Sequence, residues 1–288
     1  MSRALLITGA TGRQGGAVIN ALVAKQPSDF LLLAVTRNAQ SASAKYLAAK
    51  SPNIKLVEGD LESIPSLFQS AKKVAGTVPL WGVYSIQTSG GKAAVLEGEV
   101  RQGKGLIDES IKAGVQHFVY SSHRVEHHLR DSTSNGKSTM GWTILRPTTF
   151  MDNLGPSSAI KVFLTLLRDT MKDKPAQWIA TEDIGYFASE AFFDPTTWNK
   201  KAIGLAGDEL TFLQLSQSFE TATGSPAPTT FGLLGKALKH GVPEMGVMVS
   251  WWYDDGYGAN VAEIRRIHPN ATTMEAYLKK SAYVSQTK

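Results

Sequence analysis

At 288 residues, with 42% hydrophobic and 19% charged side chains and a formal charge of +5, the chain has an ordinary globular composition, large enough for one domain or two unequal lobes. The absence of cysteine excludes disulfides, thiolate metal sites and cysteine nucleophiles. The positive charge is mild and dispersed and suits an anionic small ligand as well as a polymer, but no Lys/Arg-rich run marks a nucleic-acid patch, so no direct nucleic-acid contact is expected. No apolar run approaches membrane-spanning length, and the first strand begins almost at Met1, so an intracellular protein, cytoplasmic or also nuclear, is expected.

The apolar run Ala4-Leu5-Leu6-Ile7 is read as a buried parallel strand. It breaks into Gly9, Gly12 and Gly15, and Ala17, Val18, Ala21 and Leu22 then recur at helical spacing. The pattern is G-x-x-G-x-x-G rather than G-x-G-x-x-G, yet each glycine has a physical role. Gly9 permits the tight turn out of the strand, Gly12 lets a pyrophosphate approach bare backbone, and Gly15 allows helix and strand to pack closely. Amide N–H groups at the helix start, with the positive end of the helix dipole, then face phosphates.

Short apolar runs at 31–35, 54–57, 82–86, 118–121 and 143–145 are read as strands two to six. Between the fourth and fifth, Val100, Lys104, Ile107 and Ile111 form a helical stripe that Gly114 terminates. Such alternation predicts an α/β fold, a Rossmann-type doubly wound parallel sheet. Ligands on these sheets bind beyond the carboxyl ends of the strands, where the strand order reverses.

The residues after each strand are therefore the candidates. Beyond strand two, Thr36-Arg37-Asn38 lacks the acid that would hold a ribose 2′-hydroxyl; Arg37 instead suits a 2′-phosphate and Arg13 adds a second charge, which favours NADP(H) over NAD. Beyond strand three, Asp60, with Leu61 beside it, lies near the adenine amine or caps a helix. Ser85, Ile86 and Gln87 follow strand four, placed by topology along the middle of the cofactor. Ser121 and Ser122 end strand five beside the nicotinamide, with Tyr120 pointing to the opposite face. Pro147 and Phe150, after strand six, either pack on the nicotinamide ring or form a structural turn.

The second half is less regular. Residues 159–171 carry Ile160, Phe163, Leu166 and Leu167 on one helix face, and 181–193 form a helix with acidic residues in its opening turn. Thr211 with Gln214, and Thr272 with Glu275, have the spacing of capping boxes. The aromatic cluster of Trp251, Trp252, Tyr253 and Tyr257 is read as packing. The expected division is a cofactor-binding domain over 1–150, completed by parts of 175–205, and a smaller, mainly helical lobe over 151–288 closing the substrate cleft. His123-Arg124-Val125-Glu126-His127 matches a short H-x-x-E-H metal pattern, but His128 and the neighbouring charges fit a solvated helix face, and no metal is expected.

Taken together, GATGRQG at 9–15, TRN at 36–38, GDL at 59–61 and TILRP at 143–147 resemble the NmrA-like family, atypical members of the short-chain dehydrogenase/reductase superfamily. EGEVRQGKGLIDESIKAGVQHFVYSS at 97–122, FMDNL at 150–154 and EDIGYFASEAF at 182–192 extend the resemblance over nearly the whole chain. It implies NADP(H) binding by Gly9, Thr11, Gly12, Arg13, Gln14 and Gly15 with Arg37. It also implies one of two activities: an NADPH-dependent oxidoreductase reducing a small carbonyl, quinone or imine substrate, or a redox sensor regulating a protein partner without turnover. Two departures stand out. The Tyr-x-x-x-Lys pair of active short-chain dehydrogenases has no counterpart near strand five, where Tyr120 is followed four residues on by Arg124. Ser122 also runs directly into His123, where relatives place a loop. A strand needs room to turn into a crossover helix, so a loop, with any lysine it carries, is expected to be missing there.

Overall fold

The computed structural model describes residues 2–26, 29–87, 93–122 and 124–285. The chain starts β1 (Arg3–Ile7), α1 (Arg13–Ala24), β2 (Phe30–Thr36), α2 (Ala42–Ala48), β3 (Ile54–Glu58) and α3 (Ile64–Ala75). It continues with β4 (Leu80–Ser85), α4 (Ala93–Lys112), β5 (His117–Ser121), α5 (Glu126–Ser132) and β6 (Gly141–Pro147). Then come β7 (Thr149–Phe150), α6 (Ser158–Met171), β8 (Ala176–Ile179), α7 (Thr181–Phe193), α8 (Pro195–Trp198), β9 (Lys201–Leu205) and β10 (Asp208–Leu210). Five helices follow: α9 (Phe212–Thr223), α10 (Gly232–Gly241), α11 (Pro243–Asp254), α12 (Val261–Ile267) and α13 (Met274–Lys280), before a last turn, α14 (Ala282–Ser285). No helix among the described residues is long and apolar enough to cross a membrane.

Two compact units are present, one of residues 1–146 and 184–203, the other of 147–183 and 204–288. The first carries a sheet of order β3-β2-β1-β4-β5-β6-β9, parallel from β3 through β6, the doubly wound arrangement expected from the alternation. All seven residues of β2 are buried, as in a parallel strand covered on both faces. Strand order reverses between β1 and β4, whose register sets Ile7 beside Ala34 on one side and Tyr84 on the other. On α4 the expected stripe holds at Val100, Ile107 and Ile111, which pack on the core beside the buried Gly103, Leu106 and Ser110, while Lys104 is exposed. Gly114 does end that segment, with φ +73°.

Helix α7 packs on α1 so closely that a Cβ on Gly185 would lie 2.5 Å from the Ala17 carbonyl oxygen. At the opposite end of the sheet from the glycine turn, His117 is buried. Its Nε2 lies 3.0 Å from Thr143 Oγ1, and that hydroxyl donates to the Trp198 carbonyl at 2.8 Å. Because the threonine proton is spent on Trp198, the imidazole must donate from Nε2, which fixes the neutral tautomer. Burial pulls the His117 pKa down to about 4.

In the second unit, β10-β8-β7 form a small sheet, and the core gathers Trp178, Phe219, Val249, Trp252 and Met274. Thr211 and Gln214 make the expected capping box. Thr272 does not cap: Thr273 does, accepting from Ala276 N–H, while the Thr272 hydroxyl donates to Glu182 and its amide to Asp183. Asp183 is buried and also 3.3 Å from His268, so a tertiary partner took the hydroxyl that local spacing had assigned to the helix. Of the aromatic cluster, Trp252 is buried against Phe163, but Trp251 remains 40% exposed.

Candidate nucleotide-binding site

The glycine turn has the geometry its spacing requires. Gly9 has φ +60°, in the left-handed region, and its carbonyl accepts from Gly12 N–H at 2.9 Å. Gly12 is the extended N-cap residue of α1, with no capping side chain, and no acid lies in the first helical turn. Thr11, Gly12 and Arg13 are exposed. Gly15 is buried with its Cα against the turn: a Cβ there would lie 2.3 Å from the Gly9 oxygen and 2.7 Å from the Thr8 oxygen. Thr8, which the sequence reading passed over, locks the turn to β4. Its Oγ1 accepts from Ile86 N–H at 2.8 Å and reaches the Ile86 carbonyl at 2.9 Å.

Parallel register brings the other strand ends level with this turn. Arg37, just past β2, is exposed and forms no ion pair among the described residues. The nearby Glu58 carboxylate is occupied by the Ala39 amide at 3.0 Å. Asp60 is exposed and its Oδ1 accepts from Glu62 N–H at 3.0 Å; the N-cap of α3 is Ser63, so Asp60 shapes the turn before the helix and does not cap it. Leu61 is partly buried against the core.

Beyond β4 and β5 the sheet separates two sets of side chains by alternation. Gln14, from the first turn of α1, accepts the Ser121 hydroxyl at 2.8 Å and the Tyr84 phenol at 3.3 Å through one oxygen. Burial pushes the Tyr84 phenol far above its usual range, so it stays a donor. The Gln87 side chain is turned inward and buried, with Nε2 donating to Ser85 Oγ at 2.9 Å. Ile86 instead covers Gly9.

On the opposite face, Tyr120 is buried in the core, its phenol held above the usual range chiefly by burial, with the Glu99 and Glu126 carboxylates adding to it. Arg124 occupies the fourth position after it, but Arg124 Nε pairs with the buried Glu99 at 3.2 Å. Ser122 also donates to Glu99, at 3.3 Å. The next anchor is Glu126, which takes Arg146 Nε and a terminal nitrogen at 2.6 Å each. These pairs were not foreseen; Glu99 lay within a stretch read for its helical stripe and its family resemblance, not for a charge partner.

Helix α5 begins at Glu126, and Arg124 and Val125 lead into it as a turn. The Ser122–His123 step, where a loop is expected to be missing, lies outside the described residues at His123. Of the H-x-x-E-H stretch, His123 lies outside the described residues, and Glu126 is committed to Arg146. Replacing Arg146 with alanine is expected to cost about 1–2 kcal/mol, less than a fully buried pair because the arginine is half exposed. Urea unfolding of Arg146→Ala against Arg146→Lys measures it, and an unchanged midpoint would show that the pair contributes nothing. Pro147 and Phe150 belong to the second unit: Pro147 ends β6, and Phe150 pairs in register with Ile179. Just beyond, Asp152 takes the Thr181 amide and hydroxyl at 2.9 and 2.6 Å.

The comparisons with known proteins agree with this architecture. The oxidoreductase lnaB of Aspergillus flavus, described as containing an NmrA-like family domain, is 26% identical over 263 positions, covering 77% of this chain and 74% of its own length. The negative transcriptional regulator NmrA, crystallised with NADP, superposes with a TM-score of 0.69 at 19% identity over 99% of this chain and 96% of its own. Citrobacter sp. triphenylmethane reductase complexed with NADP(H) gives 0.70 at 17% identity over 97% and 99%. The sequence profile of the NmrA-like family matches residues 1–137 and 122–278, two matches that overlap directly after β5. With its glycine turn, sheet order and profile match in agreement, the chain belongs to the NmrA-like family.

Proposed function

We propose that this chain binds NADP(H) at the glycine turn and acts as an NADPH-dependent oxidoreductase on a small carbonyl, quinone or imine substrate. The observation that carries the cofactor is the combination of an uncapped, acid-free N-terminus of α1 with Arg37 one strand away, exposed and without an ion pair among the described residues. The residues fit a dinucleotide: bare backbone at Gly12 meets a pyrophosphate, and Arg37 meets a 2′-phosphate. Arg13 adds positive charge at the turn, and Ser121 and Gln14 stand at the nicotinamide end. The bound nicotinamide would supply two electrons and a proton equivalent as hydride. The chain's contribution is to orient it, and the reductase and oxidoreductase names of the relatives support the activity.

Replacing Arg37 with alanine is expected to weaken NADPH binding by about 10- to 100-fold, the worth of a charge-assisted contact, and to leave NADH binding nearly unchanged. Isothermal titration with both nucleotides measures it. Equal losses for both would remove Arg37 from the 2′-phosphate site.

A second reading, a dinucleotide sensor acting on a protein partner, is favoured by one observation: Tyr120 is buried and Arg124 is held by Glu99, so neither is placed to work as a proton-donating pair. We also infer that the family's loop after Ser122 is absent from this chain. Support comes from the 263 aligned positions with lnaB, which exceed the 77% of the chain they cover, and from the overlapping profile matches at 122–137. NADPH consumption on a panel of carbonyls, quinones and imines separates the two readings. Tight binding without turnover on any of them selects the sensor.

A further inference from the structure

The groove beside α11 in the second unit is basic at one end, acidic at the other and apolar between. We propose that it is an isologous interface with a second copy of this chain, formed by two α11 helices packed antiparallel. The groove has a volume of about 470 Å³. At its first end lie Lys239 and His240; Lys239 rests against Gly246, where a Cβ would sit 3.3 Å from the lysine Cγ. Val247, 70% exposed, and Trp251, 40% exposed, occupy the middle, one helical turn apart. Asp254 and Asp255 close the other end. Glu244 does not line the groove.

Three features of this face ask for a cover with the same face inverted. Helix α11 is apolar on both sides: Val249 and Trp252 fill the unit's core while Val247 and Trp251 face outward, and a helix apolar all round is normally enclosed. The outward apolar surface continues onto α10 through Leu233, 77% exposed, two turns before His240.

Secondly, Asp254 and Asp255 stand at the negative end of the helix dipole, where carboxylates are unfavourable, and neither pairs with a cation of its own chain among the described residues. Lys174 reaches that end but donates to the Tyr253 carbonyl.

Finally, the charges complement their own image. A two-fold axis between Val247 and Trp251 sets each Val247 against the partner's Trp251. The same axis brings the Lys239 end opposite the partner's Asp254 and Asp255. An isologous contact requires this self-complementarity.

The test uses the full chain in sedimentation equilibrium up to about 100 µM, a range that detects weak dimers. A mass rising toward twice 31.1 kDa with concentration is expected. Lys239→Asp alone, and Asp254→Lys with Asp255→Lys in another chain, are each expected to raise the dimer Kd by about tenfold or more. Mixing the two proteins should restore association, because the two-fold then matches lysine with aspartate at both ends. Val247→Lys should abolish it, with circular dichroism confirming that each variant is folded. A wild-type chain that stays monomeric throughout, a dimer indifferent to these changes, or a mixture that fails to associate would each overturn the proposal.

Discussion

Gly15→Ala is expected to destroy the nucleotide-binding turn. The added methyl would lie 2.3 Å from the Gly9 oxygen, 2.5 Å from its carbonyl carbon and 2.7 Å from the Thr8 oxygen, and all three are backbone atoms. A flexible side chain can yield to such a contact, but this backbone is fixed by hydrogen bonds of the turn and by Thr8 bound to Ile86. The helix must therefore move away from the strand, at a cost of about 3 kcal/mol or more. NADPH binding should be lost with it, because the amides of α1 no longer face the turn. Gly16→Ala is the matched control: its Cβ would stand 3.4 Å from the Ala10 oxygen, ordinary contact, and alanine gains about 0.5–1 kcal/mol over glycine inside a helix. Urea unfolding of both variants, with nucleotide titration, decides the matter. A Gly15→Ala protein as stable and as competent as the wild type would mean that helix and strand are less closely packed than described.

The second large effect is acid sensitivity through His117. Its folded pKa, about 4, lies below the ordinary histidine value of 6.5, so between these two values the unfolded chain binds a proton that the folded one refuses. Stability from this site is complete above pH 6.5, falls as pH drops toward 4, and levels off below. The shift corresponds to about 3 kcal/mol at most. His117→Gln retains a side-chain donor toward Thr143 and removes the proton. Its pH-stability curve should therefore be flatter over this interval, although it loses the stacking of the imidazole on Trp81. Parallel wild-type and variant curves would assign the acid sensitivity to other groups.

What the sequence by itself determined is what local periodicity and backbone chemistry encode. Six strands of the main sheet, the turn at Gly9, the close packing at Gly15, the helix of Thr181–Phe193 and the Thr211–Gln214 box were all legible, because each depends on residues within a few positions. Ser121 and Tyr120 were correctly set on opposite faces by strand alternation.

Only the tertiary structure decided which polar groups find each other. Gln87 turned to Ser85, Arg124 was taken by Glu99, Glu126 by Arg146, and Thr272 by Asp183 and Glu182. In most of these cases the partner arrives from 20 or more residues away. The small sheet of β7, β8 and β10 was missed for the same reason: its strands are too short to show a period and exist through pairing. A buried polar atom binds whichever complementary group the fold delivers, and that delivery is settled by packing of the whole chain, not by spacing along it.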